Sequence, residues 1–233
     1  MIVFVAGASG AIGRPLIAEL VRRGHTVTGM TRSDAGARAL ADLGAAVARV
    51  SAFDARGLEE ALRRSRAEVV IDELTALPKS PSEMAEAAPG DRKLRLEGGG
   101  NLHRAARACG VRRYVQQAGG FFLRPGSGLA DESEGLAVDG SPRVAASART
   151  YAELEARVLN AGDMEGVALR YGFFYGPGDV VSPRGRGGRS GPAAGGPDHR
   201  PGRGGLVVGP HRRRGPRYGR GPDGPAGRVS YRR

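Results

Sequence analysis

Residues 1–13 read MIVFVAGASGAIG, and this stretch decides how the chain begins to fold. An apolar run from Ile2 to Ala6 leads into glycines spaced as G-x-x-G-x-x-G, at Gly7, Gly10 and Gly13. Apolar residues then recur at helical spacing between 14 and 23. The first glycine permits a tight turn, the second lets backbone amides approach an anion, and the third lets the helix pack closely on the sheet. The stretch therefore predicts a strand, a phosphate-binding turn and a helix.

The glycine loop is the first predicted binding element. A helix that begins directly after such a loop points its free amides at an anion, which favours the diphosphate of a dinucleotide. An isolated glycine loop is also compatible with simple flexibility. Its place between a strand and a helix favours binding. The predicted contacts are Gly7, Ser9, Gly10, Ala11, Ile12 and Gly13.

Strands and helices alternate through the rest of the body of the chain. Repeated strand–helix units predict a parallel sheet covered on both faces, hence an α/β fold over residues 1–181. The further predicted strands are 25–30, 46–50, 68–71, 114–117 and 167–171, and the predicted helices are 14–23, 35–43, 58–64, 94–108 and 152–160.

The end of the second strand favours one form of the dinucleotide. An acid at this point binds the ribose 2′-hydroxyl of NAD, and a base binds the 2′-phosphate of NADP. Thr31 and Arg32 occupy it, the first carboxylate is Asp34, and Arg14 lies one residue past the glycine loop. We therefore expect NADP(H) to be favoured over NAD(H), with Arg32 and Arg14 as phosphate ligands. Simple solvation of either arginine is the alternative.

Several segments carry a family resemblance. Besides the glycine loop they are RLEG at 95–98 with NL at 101–102, VRRYV at 111–115 and LRYGFFYGPG at 169–178. Together they resemble the NAD(P)-dependent epimerase/dehydratase branch of the extended short-chain dehydrogenases/reductases. The resemblance covers residues 1–183.

The resemblance implies a Rossmann-type doubly wound parallel sheet and a small-molecule substrate, carbonyl or sugar-like. Ser51 stands where the family carries an acid near the adenine. We place Ser51, Leu74 and Tyr171 in the cofactor site as well. Members of this family continue past the last motif into a substrate-binding lobe, which this chain lacks in recognisable form.

The catalytic residues depart from the family pattern, which is a Tyr-x-x-x-Lys pair with a serine. Lys79 and Lys93 are the only lysines, and neither follows a tyrosine at that spacing. Alignment puts Ser147 at the tyrosine position and Tyr151 at the lysine position. The alternative makes Tyr151 the candidate catalytic acid with Glu155 as its partner, although a carboxylate raises a phenol's pKa. Either way the usual relay is missing, and we do not expect turnover to depend on Tyr151.

Other polar residues receive plainer interpretations. Residues 117–118, Gln-Ala, stand where the family has its serine. Asp72 and Glu73 follow a strand and could line a site, since ligands bind beyond the carboxyl ends of strands, but a solvated pair at a loop edge is the favoured interpretation. His103 is expected on a helix surface. Cys109 has no partner ligands, so neither a metal site nor a disulfide is expected.

Nearly all of the net charge of +12 arises in the last 52 residues, which carry +11. Residues 182–233 hold 13 Arg, no Lys and 2 acids, and 36 of the 52 are Gly, Pro or Arg. Such a composition cannot bury enough apolar surface to offset its chain entropy, so this tail is predicted to be disordered.

A shifted reading frame explains this tail better than a function does. Codons for Arg, Gly, Pro and Ala can consist of G and C alone, so a GC-rich gene read out of frame yields this composition. Shifting codons 205–219 by one base allows VWSWVHIDDAARAT, which resembles the family's downstream region, and the same shift serves 197–200 and 227–232. We predict a frameshift near Pro183. An RNA-binding arm is the less favoured reading, because the tail lacks interleaved aromatic residues for base stacking.

The sequence thus predicts an NAD(P)-binding oxidoreductase or epimerase-like protein with an altered relay and a truncated substrate lobe. A non-catalytic dinucleotide-binding module is the alternative, and nucleic acid is the least favoured partner. The apolar run at 2–6 is too short for a signal or membrane segment, and one cysteine suits a reducing compartment, so we expect a cytoplasmic protein. The oligomeric state is left open.

Overall fold

The computed structural model describes residues 1–78, 80–126, 130–172 and 208–211. Within these ranges, seven strands form one sheet in the order β3-β2-β1-β4-β5-β6-β7. The strands are β1 (Ile2–Ala6), β2 (Thr26–Thr31), β3 (Ala46–Arg49), β4 (Val69–Asp72), β5 (Arg113–Gly119), β6 (Glu165–Tyr171) and β7 (Val208–His211). The first six are parallel, and β7 pairs antiparallel with β6. The predicted α/β fold with a doubly wound parallel sheet is confirmed.

Six α-helices accompany the sheet in the described part of the chain. They are α1 (Gly13–Arg22), α2 (Asp34–Asp42), α3 (Ala55–Ser65), α4 (Met84–Lys93), α5 (Gly99–Ala108) and α6 (Pro142–Leu159). A π-helical turn, Leu94–Gly98, joins α4 to α5. None of the helices in the described ranges has the length and apolar character needed to cross a bilayer.

The two faces of the sheet bury two separate cores, as alternation along β1 requires. On one face, Val3 and Val5 pack with Ile17 of α1 and Leu40 of α2. The opposite face buries a larger core, whose members come from β1, α3, α5, β5 and α6: Phe4, Leu58, Leu62, Leu102, Tyr114 and Val158. Helices on both faces leave the carboxyl ends of the strands as the open edge.

That edge has a topological switch point between β1 and β4. From β1 the chain crosses to β2 on one side, whereas from β4 it crosses to β5 on the other. The connections therefore diverge and leave a crevice where ligands bind in doubly wound sheets. The glycine loop follows β1, so it lies at this crevice.

Two helix predictions were incomplete. The predicted helix 94–108 is the second half of a longer unit that starts at Met84, and α6 starts ten residues before the predicted 152. Pro89 lies inside α4 and argues locally against a helix. Packing of the following segment against α3 and α6 favours the helix nevertheless.

Four residues of the predicted tail, Val208–His211, lie in the described part of the chain. β7 lies within the segment 182–233 predicted to be disordered, and it pairs with β6 from Ala168 to Tyr171. Without it, the backbone groups on the outer side of β6 would form a free sheet edge, which an antiparallel strand satisfies. The remaining residues of the predicted tail lie outside the described ranges, and the frameshift stays a prediction.

Gly166 tests the packing of α6 on β6. A Cβ at Gly166 would overlap the Val158 carbonyl oxygen and lie 2.5 Å from its carbon. We expect Gly166→Ala to lower the free energy of unfolding by about 1 to 3 kcal/mol, because backbone must move. Gly90→Ala on exposed α4, with open space around it, is the control and should stabilise by about 0.5 to 1 kcal/mol. Equal effects in urea unfolding would contradict the packing described.

Candidate functional site: a dinucleotide cleft

A cleft of about 190 Å³ opens at the carboxyl ends of β1 to β4. It is lined by residues that follow or end four neighbouring strands, together with one residue of the π-helical turn: Gly7, Ser9, Gly10, Met30, Thr31, Arg32, Ser51, Ala52, Phe53, Glu73, Leu74, Thr75 and Leu94. One of these lining residues is basic and one is acidic, Arg32 and Glu73. The cleft coincides with the switch point of the sheet.

The glycine loop can have this shape only with glycine. Gly7 has a φ of +73°, and a Cβ on it would overlap the Glu73 carbonyl oxygen and lie 2.6 Å from the carbonyl carbon. A Cβ on Gly13 would lie 2.5 Å from the Ala8 oxygen. The Gly10 amide donates to the Gly7 oxygen at 2.9 Å and closes the turn. The loop therefore presents bare backbone to the cleft.

The amino end of α1 is prepared for an anion. Ser33 caps α2 and Asp54 caps α3 through side-chain oxygens, whereas Ile12, the N-cap of α1, provides no side-chain bond. Of the first amides of α1, that of Arg14 donates to the Gly10 oxygen at 3.2 Å, and Pro15 has none. The Gly13 amide, for which the described backbone bonds give no acceptor, can face a ligand. No acidic residue lies in its first turn, and exposed Arg14 does. These features fit the diphosphate of a dinucleotide.

The adenosine side of the cleft carries a positive charge. Arg32 follows β2, is exposed and lines the cleft. The nearest carboxylate in sequence, Asp34, forms an ion pair with Arg49 at the end of β3. Buried Thr31 accepts the Ser33 amide at 3.4 Å and holds the turn that presents Arg32. Arg32 is thus oriented by the fold, and Asp34 has another partner.

A layer of buried polar side chains lies at the other end of the crevice. Asp72, only 1% exposed, accepts the Tyr114 hydroxyl at 2.8 Å and the Leu74 amide at 3.0 Å. Burial raises the pKa of Asp72 and raises that of Tyr114 well above its usual value. Asp72 and Glu73 are therefore buried, and the expectation that they are solvated was wrong, because the π-helical turn and α5 cover the end of β4.

Glu73 pairs with a tyrosine from a distant strand. The Tyr171 hydroxyl, at the end of β6, donates to Glu73 Oε1 at 2.6 Å across the end of β5. Burial raises the pKa of Glu73 to about 7. Burial and the neighbouring Glu73 also raise the pKa of Tyr171, so the phenol keeps its proton.

Two arginines, buried Arg95 and half-buried Arg157, bind the end of β5. Arg95, 3% exposed, donates to Asp91 Oδ2 at 2.6 Å and to Gln117 Oε1. Arg157 donates to Gln116 Oε1 at 3.0 Å and to two carbonyl oxygens of the π-helical turn. They hold α4, α5 and α6 together above the sheet.

The predicted location of His103 was also wrong, like the solvated state expected for Asp72 and Glu73. It is buried, not on a helix surface, and its ring meets that of Tyr114 edge to face at 5.0 Å. Burial and the nearby arginines lower the pKa of His103 to about 4, so the ring is neutral at physiological pH. In the described ranges, no three His, Cys, Asp or Glu side chains are grouped as metal ligands.

Tyr151 lies over the end of β5, outside the cleft lining. Its ring stacks on Phe122 at 5.6 Å, and the Arg95 guanidinium lies 5.3 Å from its centroid. A Cβ on Gly119 would lie 2.9 Å from Tyr151 Cζ, so the ring occupies the space above the strand end. Burial raises the pKa of Tyr151, and Arg95 opposes the rise.

The Glu155 carboxylate is paired with Arg170 and not with Tyr151. The Arg170 guanidinium donates to both of its carboxylate oxygens, at 2.7 and 2.8 Å, with both side chains about nine-tenths buried. The alternative pairing of Tyr151 with Glu155 is therefore not the arrangement of the structure. A buried bidentate pair of this kind joins α6 to β6.

The cleft brings together most of the predicted cofactor residues: Gly7, Ser9, Gly10, Thr31, Arg32, Ser51 and Leu74. Ala11, Ile12, Gly13 and Arg14 lie at the start of α1 beside it. Tyr171 is connected to the cleft by its hydrogen bond to the lining residue Glu73. Of the lining residues that the sequence analysis did not select, Glu73 had a signal, since it follows an apolar strand next to the glycine loop. Phe53 and Leu94 had none.

Comparison with known proteins agrees with this geometry. A family described as NAD(P)H-binding matches residues 7–165. The chain belongs to this NAD(P)H-binding family. Its cofactor is a nicotinamide dinucleotide, and the resemblance to epimerase-like short-chain dehydrogenases/reductases is confirmed.

Three relatives illustrate the family. A Streptomyces protein described as a 3-diazoavenalumate denitrifying reductase is 42% identical over 180 residues, 76% of this chain and 58% of that protein. UDP-glucose 4-epimerase from Thermus thermophilus, solved with NAD, is 27% identical with a TM-score of 0.60, covering 80% of this chain and 59% of that one. A short-chain dehydrogenase/reductase superfamily protein from Agrobacterium tumefaciens with bound NAD is 25% identical with a TM-score of 0.56, covering 72% and 48%. The chain thus spans about half to three-fifths of the length of these relatives.

Gly119 tests the position of the Tyr151 ring. Gly119→Ala is expected to lower the free energy of unfolding by about 1 to 3 kcal/mol, because the new methyl group meets the ring. In a Tyr151→Ala background the same change should cost far less, which is the coupling expected of direct neighbours. Gly120→Ala, whose Cβ would first meet a neighbour at 3.4 Å, is the control. Additive effects in a denaturant double-mutant cycle would refute the contact.

Proposed function

We propose that this chain is an NADPH-dependent reductase that transfers hydride to a small electrophile without a tyrosine–lysine proton relay. The cleft that joins the glycine loop, the uncapped start of α1 and Arg32 carries the cofactor half of the proposal. The Streptomyces reductase, 42% identical, supports reduction as the reaction class. The chain spans 58% of that relative, so the identity of the acceptor is a proposal of its own.

The preference for NADPH rests on Arg32 and on the partner of Asp34. A planar guanidinium at the end of β2 suits the 2′-phosphate, and the ion pair with Arg49 draws Asp34 away from a ribose hydroxyl. Arg14 in the first turn of α1 is a second candidate ligand. A phosphate contact of this kind contributes about 1.5 to 3 kcal/mol.

Replacing Arg32 tests this preference. The parent protein should bind NADPH more tightly than NADH, and Arg32→Ala should remove most of the difference, about 1.5 to 3 kcal/mol, mainly by weakening NADPH. Arg22→Ala, at the other end of α1 and paired with Glu19, is the matched control and should leave both affinities unchanged. Dissociation constants of NADPH and NADH, measured by titration calorimetry, test this preference. Equal affinities of the parent protein for the two dinucleotides would refute the preference.

The acceptor is constrained by which residues can provide a proton. A carbonyl that accepts hydride becomes an alkoxide and needs an acid. In this chain no lysine stands four residues after a tyrosine, and Gly119 and Tyr151 fill the end of β5. Arg95 and Arg157 are held by Asp91, glutamine side chains and backbone oxygens. An electrophile that needs no proton from the protein suits this arrangement best.

An arenediazonium group, the cationic form of an aromatic diazo compound, is such an electrophile, because it carries a net positive charge and leaves as N₂ when the ring carbon gains hydride. Bound NADPH supplies a hydride, and one diazonium with one NADPH gives one C–H bond, one N₂ and one NADP⁺. Charge and atoms balance without an acid from the chain. We therefore propose a diazo compound as the acceptor class. The small carbonyl or sugar-like substrate expected from the sequence is the alternative.

A panel of acceptors separates these candidates. With NADPH deuterated at the transferable position, 3-diazoavenalumate should release N₂ and gain deuterium on carbon, detected by mass spectrometry. Tyr151→Phe should retain turnover within about threefold, since no proton passes through its phenol. Reduction of aldehydes or sugar nucleotides alone, or loss of several orders of magnitude in Tyr151→Phe, would favour the carbonyl alternative. Tight NADPH binding with no oxidation by any acceptor would favour a non-catalytic module.

A further inference from the structure

Glu73 stands beside the predicted diphosphate site. It is the first residue after β4, and its amide donates to the Ala6 oxygen at 3.1 Å, one residue before the glycine loop. A Cβ on Gly7 would lie 3.1 Å from the Glu73 Cβ. The side chain is buried, with 7% of the residue exposed, and among the described residues that line the cleft it is the one acid.

Three charged or titratable side chains face the Glu73 carboxyl. The Tyr171 phenol of β6 donates to Oε1 at 2.6 Å, and the Asp72 carboxyl is its neighbour on β4. Arg95 of the π-helical turn also acts on it, although Asp91 and Gln117 hold that guanidinium. From β1 the glycine loop contributes no charged group. Burial and Asp72 raise the pKa of Glu73, and Tyr171 and Arg95 lower it, with the balance at about 7.

A dinucleotide adds negative charge next to this carboxyl. The diphosphate is predicted to bind at the glycine loop, and a buried carboxylate in the lining of the same cleft repels it, because little water screens the two. A protonated carboxyl has no such repulsion. The ligand therefore favours the protonated form of Glu73 over the ionised form.

We propose that the dinucleotide binds the form of the protein in which Glu73 is protonated, so that binding takes up a proton at this carboxyl. Tyr171 positions the carboxyl, and Glu73 holds the proton. This proton uptake rests on the proposed dinucleotide binding at the glycine loop. It does not depend on which acceptor is reduced.

The pH dependence has a definite sign. Below about pH 7 Glu73 is already protonated in the free protein, and affinity should not depend on this group. Above about pH 7 the proton must be taken up, so affinity should fall by up to about tenfold for each pH unit. The fall ends when the pH passes the higher pKa of the bound state.

Calorimetry measures this proton directly. NADH is the probe, because the 2′-phosphate of NADPH titrates near pH 6 and would contribute its own protons. Titrations in buffers of different ionisation enthalpy should give about half a proton taken up at pH 7 and nearly one at pH 8. Glu73→Gln should take up none and bind with a flat pH profile. Glu60→Gln, an exposed acid of α3, is the matched control and should behave as the parent.

Several results would overturn the proposal. Binding by the parent protein without proton uptake would do so, and so would uptake that persists in Glu73→Gln. If Glu73→Gln does not fold, the same proton-uptake measurement on Tyr171→Phe tests the proposal. Loss of the phenol bond should move the pH of half-uptake upward, and an unchanged midpoint counts against Glu73. Failure to bind NADH or NADPH at any pH would overturn the proposed function together with the proton uptake, whereas binding without uptake overturns the uptake alone.

Discussion

The close approach of Gly7 to the backbone of Glu73 is the constraint on which the site depends. The two chain segments leave β1 and β4 side by side, and a single methyl group at Gly7 would overlap the Glu73 carbonyl. The loop can therefore turn at once and place α1 with its uncapped start at the switch point. The same contact places Glu73 in the lining of the cleft beside the glycine loop, which is the geometry behind the proposed proton uptake.

The second element of the site is the buried polar layer above β4, β5 and β6. Buried charges persist only when they are paired and hydrogen-bonded, and here the pairs join distant parts of the chain. Arg170 with Glu155 connects β6 to α6, and Arg95 with Asp91 braces the π-helical turn. Removing one partner of such a pair typically costs about 3 to 5 kcal/mol, because the other charge stays buried. The layer thus fixes the helices that cover the substrate side of the crevice.

The same layer explains the departure from the family's proton relay. Tyr151 stacks on Phe122 and covers Gly119, where a larger residue would meet its ring. The glycine at the strand end and the Tyr151 ring are therefore parts of one packing arrangement. This arrangement supports the proposed acceptors that need hydride alone, and Glu73 lines the cleft below it.

The sequence alone determined the order of strands and helices, the glycine loop and the basic end of β2. These features are local, because strand and helix periods and a three-glycine spacing are read within a few residues. Tertiary structure decided the state of the polar residues. Glu73 is paired with Tyr171, which is 98 residues away, and no local pattern specifies that contact or the desolvation that raises the Glu73 pKa. Helix α4 formed despite its proline because the turn that follows it packs on α6, and β7 formed because β6 would otherwise expose an unpaired edge.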